Sequence, residues 1–408
     1  MTAATPSIVP VARPGHLASW LPLFLLFCLM LPVTAMVPVL PALTSGRFVG
    51  LGQFESHLFM SINMFGALLG APVAGLLSDR IGRRKTLAVA ALAANGLFLL
   101  ALGWVESYPA ALGLRLLEGF AHMSALSLLM TLGAEHATAG RLGARMGAVG
   151  ASISLGVATG APLGGWLGGH DALWVPLGGG VLSLCLAMVA LMGLHESATV
   201  RRRLPAAEVL RALRSHRELL VPMAFSFVDR LTVGFIVSTL VLYLGTVLGF
   251  DAPAIGAAMA AFLIPFSLLT WPAGHLCRRF NPLNMMIAGS ILYGLFLGVL
   301  GFVPEHWMVV AMAGGGVIAA LMYAPSLVLV AQYAGADCRA SAVAAFNMAG
   351  SLGFACGPLI SSALLALYQS ITDTPYAAVF ISVGAIEIGL ALGVYLLLPR
   401  FKPVVRND

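Results

Sequence analysis

Twelve apolar runs, each about 20 residues or longer and separated by short polar breaks, constrain this 408-residue chain more than any other feature. A helix rises 1.5 Å per residue, so such a run crosses the hydrocarbon core of a bilayer. The runs fall at 17–42, 53–77, 86–105, 108–133, 143–167, 173–194, 219–248, 254–276, 283–303, 307–333, 341–367 and 376–398. Only 9% of residues are charged and 60% are hydrophobic, whereas soluble domains carry roughly 25% charge. Lipid offers the backbone no hydrogen-bond partner, so runs of this length read as helices. The expectation is an all-α membrane protein that displays its basic residues to anionic lipid, with no nucleic acid as partner. The start of the chain, with Arg13 and His16 and no small-residue cleavage site before the first run, reads as a retained helix. Cys28, Cys185, Cys277, Cys338 and Cys356 show no pairing or metal-ligand spacing and read as reduced packing residues.

Charge sets the orientation. With both termini cytoplasmic, nineteen of the 22 Lys and Arg lie in cytoplasmic segments, Arg47 lies outside, and Arg115 and Arg230 lie within helices. The one long polar segment holds Arg201, Arg202, Arg203, Arg211, Arg214 and Arg217. It divides the chain into a bundle over 1–194, a basic cytoplasmic linker over 195–218 and a second bundle over 219–408. The halves repeat. A shift of 199 residues lays Ala74-Gly75-Leu76-Leu77 on Ala273-Gly274-His275-Leu276 and Arg80 on Arg279, while Asp79 meets Arg278 and Gly82 meets Asn281.

The densest charge in the first half is Gly75-Leu76-Leu77-Ser78-Asp79-Arg80-Ile81-Gly82-Arg83-Arg84-Lys85. Gly75 permits close helix approach, Gly82 a sharp turn, and Asp79 a bond to a neighbouring helix N-terminus. The pattern Gly-x-x-x-Asp-Arg-x-Gly-Arg-Arg resembles the loop between the second and third helices of the major facilitator superfamily. Arg115-Leu-Leu-Glu118-Gly119 is similar to that family's Arg-x-x-Gln-Gly motif, with Glu for Gln. Gly156, Gly160, Pro162, Gly164 and Gly165 resemble its antiporter motif, with the proline one residue late. The resemblance covers the whole chain and is strongest to the twelve-helix drug:proton antiporters. It implies two pseudo-symmetric six-helix bundles, a substrate site between them near mid-membrane, and a bacterial inner-membrane location. It also implies that Asp79 holds an inner gate near Ser341, with Glu135 bracing Arg83.

Away from the ends of the runs, five charges lie inside the membrane: Arg115, Glu118, Asp229, Arg230 and Glu387, with a sum of −1. Each costs about 2.5–3.5 kcal/mol at the bilayer centre on insertion scales. One acid therefore has no internal base and must be protonated or meet an arriving cation. Arg115, Glu118 and His122 share one helix face; they form either a proton relay centred on Glu118 or a static clamp to a neighbouring helix. Asp229 and Arg230 point about 100° apart. They reach either the pathway or a lock on the tenth or eleventh helix, near Tyr323 or Asn347. Glu387 reads as a protonated acid bonded to a neighbour.

No catalytic triad, metal cluster or nucleotide loop appears, and Gly178-Gly179-Gly180 lacks the Lys of a phosphate cradle. The chain is expected to be no enzyme, to carry no cofactor or metal and to act as a monomer driven by a gradient. The leading expectation is proton-coupled export of drug-like compounds, amphipathic metabolites or siderophores. The alternatives are import of a small anionic nutrient with protons, bound by Arg115 and Arg230, or a membrane receptor or assembly factor that moves nothing. Reporter fusions after residue 215 should read cytoplasmic and those at residue 305 periplasmic; the reverse at either site removes this topology.

Overall fold

A computed structural model describes residues 16–135, 142–195, 217–333 and 335–397, and these are helical with short connections and no strand. The helices are α1 (His16–Ala35), α2 (Gln53–Ile81), α3 (Arg84–Trp104), α4 (Tyr108–Glu135), α5 (Leu142–Gly168), α6 (Trp174–Gly193), α7 (Arg217–Thr246), α8 (Ala252–Leu276), α9 (Pro282–Leu300), α10 (Met308–Tyr333), α11 (Gly335–Gln369) and α12 (Pro375–Leu397). Eleven are long and apolar enough to cross a membrane; the apolar part of α1, Trp20–Ala35, is shorter.

The first apolar run does not stay helical to residue 42. Helix α1 stops at Ala35, and a separate turn covers Leu40–Leu43. Pro38 disfavours helical backbone at Val37, while Pro41 sits where the new turn opens and no N–H is needed. Helix α11 begins at Gly335, before the expected 341. Helix α7 carries a π-type segment at Ile236–Leu240. Arg47, the one basic residue expected on the far side, donates to the carbonyls of Leu102, Gly103 and Val105 at 2.8, 3.0 and 2.5 Å. It caps the C-terminal end of α3, where a cation meets orphan carbonyls and the negative end of the helix dipole.

The internal repeat is visible in the packing. Helix α2 packs on α4, α1 on α5, and α3 on α6 and α4; raising each number by six gives α8 on α10, α7 on α11, and α9 on α12 and α10, which also pack. The contacts α5–α8 and α2–α11, which join the two sets of six, are related in the same way.

Small residues make these contacts close. A Cβ at Gly160 would lie 2.5 Å from the Leu31 carbonyl oxygen, and at Gly156 2.8 Å from the Met30 Cβ, so one face of α5 lies directly on α1. On the next face, a Cβ at Gly165 would lie 2.6 Å from the Ala252 carbonyl oxygen and 3.0 Å from the Gly256 Cα of α8. Without a hydrophobic force between helices in lipid, such backbone contact supplies the packing.

The apolar core is divided unequally. At the end opposite the α6–α7 junction one core takes side chains from both sets, including Met36, Leu40, Phe59, Phe235, Leu240, Ile255 and Met312. Toward the α6–α7 junction the cores separate. Leu26, Leu92, Leu129 and Leu186 form one within α1–α6, while Phe225, Met286, Leu329 and Phe346 belong to others within α7–α12. The sets are thus sealed at one end and packed independently at the other. Gly165→Leu should pry the sealed end apart. Spin labels at His170→Cys and Val247→Cys would then report a distance distribution lengthened by several ångströms; an unchanged distribution rules out α5–α8 contact as the seal.

Candidate functional site

The charged segment over 75–85 is the end of α2 and the start of α3 rather than a loop. Helix α2 runs to Ile81, the Ser78 hydroxyl donates to the Gly75 carbonyl at 2.9 Å, and Gly75 is buried. Gly82 takes φ +69° and its N–H returns to Ser78 at 2.9 Å, the left-handed cap expected of a glycine there. Arg80 and Arg83 are exposed, while Arg84 is buried at the start of α3. The side chains of Asp79, Glu135 and Ser341 lie outside the described residues, and with them the expected gate contacts. The second copy turns by other chemistry: Asn281, at the position matching Gly82, caps α9 by accepting the Leu283 N–H at 2.9 Å.

Arg115 and Glu118 are both buried in α4 and joined by a 2.5 Å ion pair. Two residues of α2 complete the site. Asn63 donates its amide to Glu118 Oε2 and, at 3.3 Å, to the Arg115 carbonyl; Phe59 places its ring 5.0 Å below the Arg115 guanidinium. Arg115 Nη1 also meets the Met36 sulfur at 3.4 Å. The pair is therefore balanced in charge and tied across the α2–α4 crossing. His122 is buried on the same side, with no partner for Nδ1 among the described residues. It shares the expected face yet makes no bond to Glu118.

Asp229 and Arg230 diverge as their helical offset requires. Arg230 is half-exposed, donates to the Tyr323 hydroxyl at 3.0 Å and stands 5.4 Å over that ring. It has no carboxylate within ion-pair distance among the described residues. Tyr323 in turn lies tilted against Phe266 of α8, with ring centroids 5.7 Å apart. Phe266 packs on the shared core and Tyr323 on a core of α7–α12 alone, so Arg230 sits where the two regimes meet. It lies thirteen residues into α7, roughly 20 Å by helix rise, which is near mid-membrane.

Arg230 thus reaches Tyr323, one of the two partners named for a lock on α10 or α11, while Asp229 is buried without a bond to either helix and Asn347 is exposed. The Asp229 carboxyl instead lies within hydrogen-bonding reach of Glu387 of α12. Glu387 is fully buried and accepts from the Ser290 hydroxyl of α9 at 2.8 Å. Asn63, Phe59, Ser290 and Tyr293 were not anticipated as parts of these sites; their only sequence signal is a polar or aromatic group inside an apolar run. The same holds for His57 of α2. Its Nδ1 is 2.6 Å from the Gln53 carbonyl, so Nε2 accepts from the Thr239 hydroxyl of α7 at 2.8 Å, across the two sets.

Comparison with known proteins places this architecture. The family model of the Major Facilitator Superfamily matches residues 23–228 and again 223–408. The chain belongs to the Major Facilitator Superfamily. Within the superfamily it is 27% identical over 364 residues to the 3-(3-hydroxy-phenyl)propionate transporter of Escherichia coli K12, covering 86% of each chain. It is 32% identical to the gallate transporter of Pseudomonas putida over 212 residues, 49% of this chain and 46% of that one. A further relative is the multidrug resistance protein MdtG of Salmonella paratyphi C, 26% identical over 380 residues, 89% of this chain and 92% of that one; this is the efflux branch that the sequence motifs resemble. Among solved structures, a mutant of the nucleoside transporter NupG superposes with a TM-score of 0.78 at 15% identity, covering 93% of this chain and 99% of that one. A bacterial homologue of the lysosomal transporter Spinster, inward-facing and occupied, gives 0.75 at 14% identity, covering 96% and 98%. Membership of this superfamily points to a multi-span membrane transporter.

The α4 site predicts its own energetics. Glu118→Ala strands a buried guanidinium and should cost about 3–5 kcal/mol, whereas the double substitution Arg115→Met, Glu118→Leu should recover most of it. Thermal unfolding of the purified variants in detergent tests this; equal losses in both would mean the residues do not act as a pair.

Proposed function

We propose that the chain is a proton-coupled secondary transporter of small aromatic organic anions, working by alternating access. The observation that carries this is Arg230, a half-exposed cation near mid-membrane with aromatic rings beside it and no carboxylate partner among the described residues. A guanidinium so placed takes a carboxylate through two parallel N–H donors, while Tyr323 and Phe266 offer ring faces to an apolar body. Two relatives are named for transport of such molecules, 3-(3-hydroxy-phenyl)propionate and gallate, each an aromatic ring bearing a carboxylate. Arg115, the other base once considered for the anion, is already paired with Glu118.

In this reading the bundles over 1–194 and 219–408 rock about the site, joined by the cytoplasmic linker 195–218 with both termini inside. The protein is a monomer with twelve spans in the bacterial inner membrane. The shared core seals the periplasmic end, so Arg230 faces the cytoplasm. Glu118 is ionised while Arg115 holds it, and takes a proton only when α2 and α4 shift that contact. Asp79 and Glu135 brace the cytoplasmic gate in the opposite state. The second reading is proton-driven export of drug-like compounds; MdtG and the glycine row of α5 favour it.

The experiment is uptake of radiolabelled 3-(3-hydroxyphenyl)propionate into proteoliposomes under an imposed pH gradient. Arg230→Ala should weaken binding by about 1.5–3 kcal/mol, the worth of a hydrogen bond to a charged group, or roughly 10- to 100-fold. Arg230→Lys keeps the charge but loses the fork, and should recover only part of that. Glu118→Gln should abolish accumulation but leave exchange of bound substrate. Unchanged affinity in Arg230→Ala removes the anion reading, and accumulation driven by an outward proton flow rather than an inward one favours export.

A further inference from the structure

The acids that the α4 site does not use lie together on the far side of α7. Asp229 and Glu387 come from helices at opposite ends of the second half and are both buried. Their carboxyls face one another within hydrogen-bonding reach. Neither oxygen of Asp229 has a protein donor among the described residues, and neither has Glu387 Oε2. Glu387 Oε1 alone is satisfied, by Ser290.

The backbone explains how this crowding persists. Gly294 of α9 and Gly384 of α12 cross so closely that a Cβ at Gly294 would lie 2.6 Å from the Gly384 carbonyl oxygen. That crossing brings Ser290 against Glu387. Tyr293 is fully buried, and its hydroxyl has no hydrogen-bond partner among the described residues. The remaining charged neighbour is Arg230, next in sequence to Asp229 but turned to Tyr323.

Two carboxylates in contact in a buried site strongly disfavour the doubly charged form; a proton on one makes it the donor that the other lacks. We infer that Asp229 and Glu387 hold one proton between them as a carboxyl–carboxylate pair, and that an anion on Arg230 tightens their hold on it. The proton comes from water entering beside Arg230, forms an O–H bond on one carboxyl and is accepted by the other. With Arg230 empty, its positive charge weakens the pair's hold on that proton. With an anion on Arg230 that offset is cancelled, and the pair keeps its proton. By linkage the proton strengthens anion binding by the same factor. The two are then carried together, although no atom of the pair touches the anion. The coupling half of this inference rests on the anion reading of Arg230; the shared proton does not.

Each half has its own measurement on the full-length protein. Infrared spectra of the wild type in liposomes at neutral pH should contain a protonated-carboxyl C=O band of about one group per protein. Glu387→Gln should remove it, because Asp229 then receives an amide N–H and has no like charge beside it. Ser290→Ala, nearly unchanged in volume, should shift the band without removing it, which keeps the test alive if Glu387→Gln does not fold. A wild type without the band, or a band untouched by both substitutions, overturns the shared proton. Calorimetric titration with the phenylpropionate probe, in buffers of differing ionisation heat and from neutral to mildly alkaline pH, counts protons taken up on binding. The wild type should take up a measurable fraction of a proton per anion and Glu387→Gln at least tenfold less. Equal uptake in the two overturns the coupling. Absence of probe binding in the wild type overturns the anion reading and its coupling, and leaves the infrared result to decide the pair.

Discussion

A charge placed in hydrocarbon must find its compensation inside the protein, and the architecture of this transporter follows from how the five charges deep within its apolar runs do so. Arg115 and Glu118 solve the problem within one turn of α4, three residues apart. Their solution still needs α2, because a guanidinium has five donors and one carboxylate cannot fill them. Phe59 gives the guanidinium a ring face, Met36 gives it a sulfur, and Asn63 donates to Glu118 and to the Arg115 carbonyl, which ties α2 to α4. Arg115 Nε has no partner among the described residues. Asp229, Arg230 and Glu387 reach a different arrangement, in which the base turns to an aromatic face and the acids turn to each other. The first site is balanced in charge; the second holds two acids and a base that pairs with neither.

The same scarcity of partners governs the helix contacts. Water does not drive helices together inside a membrane, so the close contacts fall where side chains are smallest. Gly156 and Gly160 lay α5 on α1, and Gly165 lays it on α8. The first contact lies within one set of six helices and the second between sets. A helix with two such faces can stay fixed to its own bundle while its other face parts from the neighbour. The division of the apolar core supports this use of the fold: one core spans both sets at the sealed end, and separate cores keep each set intact at the other. Rigid-body movement needs that separation, since packed cores switch between arrangements rather than deform. The half-exposed Arg230, Tyr323 and Phe266 lie at the boundary, where movement exposes and covers side chains without breaking either core.

What the sequence by itself determined is the set of helices and the kinship of the two halves. Apolar runs specify helices because lipid permits the backbone little else, and their ends fell within a few residues except at Pro38 and the start of α11. The glycine at the end of α2 was legible because only a residue without Cβ adopts φ +69° at no cost. Helical period also separated Asp229 from Arg230, since adjacent residues point about 100° apart. Period gives a direction, however, and not what stands there. That Arg230 finds Tyr323, that Asp229 finds Glu387 158 positions along the chain, and that Asn63 closes the Arg115–Glu118 site were decided by tertiary packing alone. The formal sum of −1 foretold one acid without a base. Packing left two such acids and one free base, because the Gly294–Gly384 crossing holds α12 against α9 and brings Glu387 into reach of Asp229, on the side of α7 away from Tyr323.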